Sequence, residues 1–197
     1  MDLRGEALLV LFVLTLSVAS SMAQDKKPIT VEIRTSLGFM EVALDPEHAP
    51  VTTENFLKYV RGGFYDGGRF HRTVTPENQP GQAVKIEVIQ AGIAPSREKE
   101  EFPPIALERT GRTGIKHVDG AISMARAEPD TATSDFFICI GDQPQLDEGG
   151  KRNPDGQGFA AFGRVVKGMD VARKIQHSPA RAQTLDPPVP IISIRVK

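Results

Sequence analysis

Hydrophobic and polar residues alternate along residues 29–45 (ITVEIRTSLGFMEVALD), on both sides of a short SLG segment. Such alternation places one set of side chains on one face of an extended strand. Gly38 lies between the two alternating stretches and tolerates the backbone conformations that a tight turn requires. The pattern therefore predicts a β-hairpin over residues 29–45.

Two segments change from this alternation to a helical spacing of apolar residues. In residues 49–63 (APVTTENFLKYVRGG) the apolar side chains can share one helical face. Proline near the start of that segment and glycine near its end suit the two boundaries of a helix. Residues 167–178 (KGMDVARKIQHS) show a similar spacing, so the sequence predicts two helices.

The other apolar segments are short and lie between turns rich in glycine, proline, aspartate and serine, which is typical of β-strands. Polar loops are predicted between them, including residues 75–82 and 147–158. Many short strands with two helices, and no strict alternation of strand and helix, predict a mainly β fold, either an antiparallel barrel or a sandwich. The predicted strands cover residues 64–74, 83–93, 120–126, 135–140, 159–166 and 188–196.

The N-terminal region has a different character. Residues 7–18 (ALLVLFVLTLSV) form a strongly apolar run without a charged residue, and the small residues Ser21 and Ala23 follow it. This pattern predicts a signal peptide over residues 1–23, followed by a single domain over residues 24–197. We expect an exported protein, periplasmic or secreted, without stable membrane insertion after cleavage. The weakly basic start of the chain leaves an uncleaved N-terminal anchor as the alternative.

Composition and charge narrow the possible functions. The 197 residues contain 24 Lys and Arg against 25 Asp and Glu, so no basic surface for nucleic acid is expected. Cys139 is the single cysteine of the chain and cannot form an internal disulfide. Because it lies in the apolar FFICI segment, we expect a buried and unreactive thiol.

Common catalytic motifs are missing from the sequence. The four histidines show no metal-ligand spacing, and GxSxG, P-loop and GxGxxG motifs do not occur. The sequence therefore predicts no metal site and no cofactor, and it disfavours hydrolases, NTPases and dinucleotide-binding enzymes.

Several short motifs nevertheless occur in a specific order. They are FHR (70–72), IQAG (89–92), SMARAEPDTATSDFFI (123–138), QLD (145–147) and FAAFGRVVKGMDV (159–171). Together they resemble the cyclophilin family of peptidyl-prolyl cis-trans isomerases, from about residue 29 to residue 196. The resemblance implies a closed antiparallel β-barrel capped by two α-helices and an enzyme that works without a cofactor.

The resemblance also implies a role for Arg72. Rotation about a peptide bond is opposed by a barrier of about 18–20 kcal/mol, because resonance gives the C–N bond partial double-bond character. A guanidinium can donate hydrogen bonds to the proline nitrogen and the neighbouring carbonyl in the twisted state. Arg72 is therefore the expected catalytic residue, and no nucleophile is needed.

The remaining site residues are implied by their match to family positions. Phe137 matches the floor of a proline pocket, and Gln90 matches a residue that orients the arginine and the substrate backbone. The backbone of Ala125 is expected to pair with the bound peptide. Taken singly, Phe137 would be an ordinary core residue and Gln90 a polar residue at a strand edge. The full set of expected substrate-binding residues is His71, Val88, Gln90, Ala125, Arg126, Asp135, Phe137, Leu146 and Phe159.

The sequence departs from the family pattern at several positions. Asp135 stands where glutamine is usual, and Arg126 where asparagine is common. Residues 73–89 form a longer connection than usual, and Glu87 falls where the family has phenylalanine, which would alter the rim of the pocket. Gln145 replaces the tryptophan of cyclosporin-sensitive members, so weak cyclosporin binding is expected.

Two other function classes compete with an isomerase. The first is a cyclophilin-like module that binds peptides and acts as a chaperone with little turnover. The second is a purely structural barrel that neither binds peptides nor catalyses their isomerisation. Arg72 favours the enzyme, because a binding module does not need a donor to the proline nitrogen. The expected partners are proline-containing peptides and folding protein clients, and we expect a monomer.

Overall fold

The structure, a computed structural model, describes residues 28–197. The predicted signal peptide over residues 1–23 lies outside the described residues. Within the described part of the chain, no helix is both long enough and apolar enough to cross a membrane.

Strands dominate residues 28–197, as the hydrophobic pattern predicts. Short 3-10 turns at Pro76–Asn78, Pro95–Glu100 and Pro144–Leu146 interrupt the loops. The strands and α-helices in chain order are β1 (Ile29–Thr35), β2 (Gly38–Leu44), α1 (Pro50–Arg61), β3 (Arg69–Val74), β4 (Val88–Gly92), α2 (Thr110–Thr113), β5 (Ala121–Met124), β6 (Phe136–Cys139), β7 (Ala160–Lys167), α3 (Met169–Gln176), β8 (Ala180–Arg181) and β9 (Thr184–Val196).

The strands form one closed antiparallel barrel. Their order is β1-β2-β7-β5-β6-β4-β3-β9, and β1 pairs with β9 to complete the ring. The short β8 pairs only with β9. Closure leaves no free edge among the eight ring strands. The predicted barrel with two capping helices, α1 and α3, is confirmed, and the sandwich alternative is wrong.

Alternation along the strands fills the inside of the barrel. In β2, Met40, Val42 and Leu44 are buried, whereas the residues between them are only partly covered. An aromatic cluster extends this core towards α1. The Phe56 ring on α1 lies 5.3–5.5 Å from the rings of Tyr65, Phe136 and Phe162. Burial of these large rings supplies much of the apolar contact between helix and sheet.

The two longer helices cover different parts of the sheet. Helix α1 begins with Pro50 and packs against β7 and β9, while α3 packs against β2, β3 and β4. Gly168 precedes α3 with a positive φ of 89°, and a Cβ there would lie 2.3 Å from the Phe39 carbonyl oxygen. Glycine is therefore required where α3 leaves β7. Helix α2 is a single turn that the pattern did not predict.

Most predicted strands differ from the structure at their ends, and the strand predicted over residues 64–74 begins only at Arg69, after a turn. Two other differences have an identifiable cause. The strand predicted over residues 83–93 is shortened to β4 (Val88–Gly92). Before β4, side chains bond backbone groups that a neighbouring strand would otherwise bond. Gln79 hydrogen-bonds both the N–H and the C=O of Ile86, and Arg152 donates to the Val84 carbonyl. The last strand begins at residue 184 rather than 188, because residues 180–185 form the β8–β9 hairpin.

Phe136 offers a test of the aromatic core. Its fully buried ring meets the rings of Phe56, Tyr65 and Phe70 edge to face at 5.5–6.0 Å. Phe136→Ala should lower the free energy of unfolding by about 3–5 kcal/mol, because it removes this ring and leaves a cavity. Urea unfolding measures the change. Phe39→Ala, at a ring that is 39% exposed, is the control and should cost less than about 1 kcal/mol. Equal effects of the two substitutions would contradict this account of the core.

Candidate active site

A cleft of about 760 Å³ lies on the outer face of strands β3, β4 and β6. All ten residues that the sequence analysis selected line it. They are Arg72, His71, Val88, Gln90, Ala125, Arg126, Asp135, Phe137, Leu146 and Phe159. The fold therefore gathers in one place residues that are spread over nearly ninety positions of the chain.

Strand register aligns the central residues of this cleft. Arg72 on β3 pairs with Gln90 on β4, and Gln90 pairs with Phe137 on β6. Paired residues of neighbouring strands point to the same face of a sheet. Phe136 and Ile138, on either side of Phe137, face the barrel core instead. The sheet is thus apolar on both faces here, with the core inside and the cleft outside.

The FHR segment adopts an irregular conformation in β3. Phe70 pairs with Ala91 and Arg72 pairs with Gln90, which are consecutive residues of β4. His71 is therefore an extra residue of β3 without a partner of its own on β4. Successive residues of a regular strand point to opposite faces. A β-bulge breaks that rule and can redirect a side chain. Phe70 is buried in the core, whereas both His71 and Arg72 line the cleft.

Neutral amides hold the Arg72 side chain. Its Nε and Nη2 donate to Oε1 of Gln183 at 2.9 and 2.6 Å, and its Nη1 donates to Oε1 of Gln90 at 3.0 Å. Three of the five guanidinium N–H groups are thereby engaged, which leaves two for a bound molecule. Burial lowers the pKa of Arg72 from its ordinary value, but a guanidinium titrates so far above neutrality that it keeps its charge.

Gln183 is a residue that the sequence analysis missed. It lies in the turn between β8 and β9, 111 positions after Arg72. The turn is attached to the loop that follows β3, since Gln183 Nε2 donates to the Asn78 carbonyl and Asn78 Nδ2 donates to the Ala182 carbonyl, both at 3.1 Å. A lone glutamine outside every motif carries no signal in the sequence.

Gln90 links Arg72 to an acidic group. Its Nε2 donates to Oδ2 of Asp135 at 2.9 Å, and His71 Nε2 lies 3.6 Å from the same oxygen. Burial is the main cause that raises the pKa of Asp135, and the charges of Glu101 and Glu98 act in the same direction. The hydrogen bond from Gln90 and the nearby His71 oppose this rise.

The apolar part of the cleft lies beside the Arg72 guanidinium. Val88, Phe137 and Leu146 are buried beneath its surface, and Phe159 meets the Phe137 ring edge to face at 5.3 Å. Ile86 also lines this wall, although the sequence analysis did not select it. An apolar hollow beside a held cation can accept a small aliphatic ring and position a polar backbone next to it.

A buried histidine supports the floor of this hollow. The His117 ring stacks on Phe137 with 5.9 Å between ring centres and is 1% exposed. Its Nδ1 lies 2.8 Å from Oδ1 of Asp147, and its Nε2 lies 3.0 Å from Oγ of Ser123. Both ring nitrogens therefore have partners, and the contacts limit how the Phe137 ring can move.

Two residues that depart from the family pattern, Arg126 and Gln145, lie in different surroundings. Arg126 forms an ion pair with Asp155 at 2.8 Å and donates to the Gly158 carbonyl, so it fastens the loop of residues 147–158 beside the cleft. Gln145 is exposed and accepts a hydrogen bond from the Lys151 backbone, outside the cleft lining. The weak cyclosporin binding expected from Gln145 stays a prediction.

Glu87 does not lie at the rim, in contrast to the expectation. Its side chain turns away from the cleft and accepts a hydrogen bond from Gln176 of α3 at 2.8 Å. Ile86 takes the position at the apolar wall instead, because the chain before β4 is held by Gln79 rather than by a strand partner.

Cys139 and the histidines do not form a second reactive centre. Cys139 is fully buried, and burial raises the pKa of its thiol far above the ordinary value. Within residues 28–197, no group of three or more histidine, cysteine, aspartate or glutamate side chains is arranged to hold a metal ion.

Comparison with known proteins identifies a family. The family model for cyclophilin type peptidyl-prolyl cis-trans isomerase/CLD matches residues 30–196. Peptidyl-prolyl cis-trans isomerase A of Dickeya dadantii (strain 3937) is 40% identical over 167 residues, which cover 84% of this chain and 80% of that protein. A peptidyl-prolyl cis-trans isomerase of Acinetobacter baylyi is 34% identical over 173 residues, covering 85% of each protein.

Solved structures show the same fold. A cyclophilin type peptidyl-prolyl cis-trans isomerase from Cryptosporidium parvum superposes with a TM-score of 0.69 at 21% identity and covers 86% of this chain and 98% of its own. The same Cryptosporidium protein, crystallised in the presence of the dipeptide Ala-Pro, gives a TM-score of 0.68 at 22% identity, with 85% and 98% coverage.

Asp135 gives a test of the electrostatics in the cleft. Because its pKa is raised in the folded protein, its ionised form is less favourable there than in the unfolded chain. The resulting loss of stability is absent below the ordinary titration range near pH 4 and grows as the pH rises through the raised pKa. Asp135→Asn keeps an acceptor for Gln90 and should therefore raise the melting temperature at neutral pH.

Thermal melts of both proteins between about pH 4 and pH 7.5 measure this effect, since the range begins at the ordinary titration range of an aspartate and extends to neutral pH. The difference in melting temperature should increase with pH and be smallest at the acid end. A wild-type protein that is the more stable of the two at neutral pH would show that the interaction with His71 outweighs burial.

Proposed function

The chain belongs to the cyclophilin-type peptidyl-prolyl cis-trans isomerases, and we propose that Arg72 performs the catalytic step on peptides bound in the cleft. The observation that carries this proposal is a guanidinium held by two amides next to an apolar hollow. The enzyme accelerates rotation about X-Pro bonds. The assignment of that chemistry to particular residues rests on their geometry.

The reaction needs a hydrogen-bond donor and a fixed substrate. In the twisted transition state the proline nitrogen regains its lone pair, so it becomes a better acceptor than in the planar amide. The two unengaged N–H groups of Arg72 can donate to that nitrogen and to the neighbouring carbonyl. A contact that is stronger in the transition state than in the ground state lowers the barrier. Gln90 and Gln183 act as positioning residues, since they hold the guanidinium before the substrate binds.

The apolar hollow is the proposed binding site for the proline ring. Phe137 forms its floor, and Val88, Leu146 and Phe159 form its walls. Ala125 lines the neighbouring part of the cleft, where its backbone N–H already donates to the Asp135 carbonyl at 2.9 Å. The Ala125 carbonyl is the group that we propose to accept a hydrogen bond from the peptide. His71 lines the same region and has no assigned role in proton transfer.

We further propose that the clients are exported proteins that fold outside the cytoplasm. The supporting observation is the apolar segment of residues 7–18 followed by Ser21 and Ala23. Residues 24–197 would then act as a soluble monomer after removal of residues 1–23. The second candidate function, a peptide-binding chaperone with little turnover, would use the same cleft. It is less favoured, because binding alone does not require the held Arg72.

Substitutions at Arg72 and Gln183 test the catalytic assignment. Arg72→Ala should lower kcat/KM by a factor that corresponds to about 2–4 kcal/mol of transition-state stabilisation. That is the usual effect of removing one preorganised transition-state donor. Arg72→Lys should restore little, because a single ammonium cannot replace the planar guanidinium. Gln183→Ala should lower kcat/KM about tenfold, or ~1.4 kcal/mol, because two of the three hydrogen bonds that hold Arg72 are lost. NMR exchange on a short X-Pro peptide measures all variants.

A double-substitution cycle separates positioning from stability. In the Arg72→Ala background, Gln183→Ala should cause no further loss of kcat/KM, since no guanidinium remains to be held. Gln157→Ala is the matched control, because Gln157 accepts hydrogen bonds from Nε and Nη2 of Arg109 in the same way. Phe137→Ala should mainly weaken substrate binding. Near-normal turnover by folded Arg72→Ala would overturn the catalytic assignment in favour of the binding module.

Export has its own test. If the signal peptide is cleaved after Ala23, the mature protein begins at Gln24. Mass spectrometry of the intact protein from the extracytoplasmic fraction should give the mass of residues 24–197. Ala23→Arg should block cleavage, because signal peptidase sites need a small residue there. A full-length chain recovered only from the membrane fraction would support the anchor alternative instead.

A further inference from the structure

Two half-buried guanidinium groups, those of Arg72 and Arg152, share the cleft without a carboxylate partner among residues 28–197, as does the exposed Arg69. Arg72 is held by the amides of Gln90 and Gln183, and Arg152 Nη1 donates to Oε1 of Gln79 and to the Val84 carbonyl, both at 2.8 Å. All of these acceptors are neutral. Within residues 28–197, neither arginine forms an ion pair, so both positive charges in this part of the cleft are uncompensated.

The two charges are close enough to affect each other. Burial is the main cause that lowers the pKa of Arg152, and the positive charge of Arg72 is the second cause. Charges that are partly removed from water and lack a partner are unfavourable. A carboxylate brought by a ligand would interact with both guanidinium groups and offset this cost.

Negative charge lies at the opposite end of the cleft. Hydrogen bonds run from Gln183 through Arg72 and Gln90 to Asp135. Beyond Asp135 lies Glu101, which accepts hydrogen bonds from Thr133 and Ser134. A peptide along this line therefore meets Arg72 and Arg152 at one flank of its proline. At the other flank it meets Asp135 and Glu101, together with the exposed Arg69, which pairs with Gly92 on β4.

We infer that Arg152 gives this isomerase a preference for peptides with an aspartate or glutamate just after the proline. The inference rests on the proposed function, in which the proline ring lies in the hollow beside Arg72 and the peptide pairs with the Ala125 carbonyl. It places the residues before the proline along Ala125 towards Asp135. The residues after the proline then leave past Arg72 towards Arg152. The free Nη2 and Nε groups of Arg152 can donate to a carboxylate at that position.

Three peptides measure this preference. They have the sequence acetyl-Ala-Ala-Pro-X-Ala-amide with Glu, Gln or Lys at X, and NMR exchange gives kcat/KM for each. The Glu peptide should exceed the Gln peptide about threefold to fivefold at low salt, as expected for a partly exposed ion pair, and the Lys peptide should fall below both. Salt at about 0.5 M should reduce the difference, because it screens the charges. Glutamate placed before the proline should give no such gain.

Variants of Arg152 assign the preference to this residue. Arg152→Gln should bring the Glu to Gln ratio to about one, because it removes the charge but keeps a hydrogen-bonding side chain. Arg152→Lys should keep part of the ratio. Arg164→Gln removes the same charge at an exposed residue outside the cleft lining and should keep the wild-type ratio.

The outcomes separate this inference from the proposed function. A wild-type ratio near one, with good turnover of the Gln peptide, would overturn the acidic preference and leave the role of Arg72 intact. An equal loss of turnover for both peptides in Arg152→Gln would also overturn it, because Arg152 would then act only by holding Gln79 and Val84. Near-normal turnover by Arg72→Ala contradicts the catalytic assignment whatever the ratio is.

Discussion

The register of strands β3, β4 and β6 is the constraint on which the site depends. It places Arg72, Gln90 and Phe137 side by side on the outer face of a closed barrel. Their neighbours along each strand point inwards and form the core. Because side chains alternate along a strand, a shift of one residue in any pairing would exchange the core and the cleft. Within the β3–β4 and β4–β6 pairings, the bulge at His71 is the exception, and it adds a second side chain of the FHR segment to the cleft.

Neutral acceptors around Arg72 suit the donor role that we propose for its guanidinium. A carboxylate partner would neutralise the guanidinium and compete with the substrate for its N–H groups. The amides of Gln90 and Gln183 fix the geometry without cancelling the charge. The same arrangement leaves positive charge in the cleft, and Arg152 adds to it. The proposed catalytic role of Arg72 and the proposed preference for acidic residues therefore rest on the same electrostatic feature of the cleft.

The sequence by itself determined the class of fold and most of the candidate site. Apolar alternation marked the ring strands, and helical spacing marked α1 and α3, because these patterns reflect which faces are buried. Motifs in a specific order supplied ten residues, all of which line one cleft. These residues were accessible to sequence reasoning because each lies within or beside a recognisable segment.

Only the tertiary structure decided the remaining contacts. Gln183, Arg152, Ile86 and His117 lie in segments without a motif, and each acquires its position from residues distant in the chain. Arg72 and Gln183 are 111 positions apart, and no periodicity links a hairpin turn to a strand of the barrel. Distant contacts also explain why the strand predicted over residues 83–93 is shorter in the structure. The side chains of Gln79 and Arg152, rather than a neighbouring strand, bond the backbone before β4. Local patterns record which face of a segment is buried, whereas hydrogen bonds between loops depend on how the closed barrel brings those loops together.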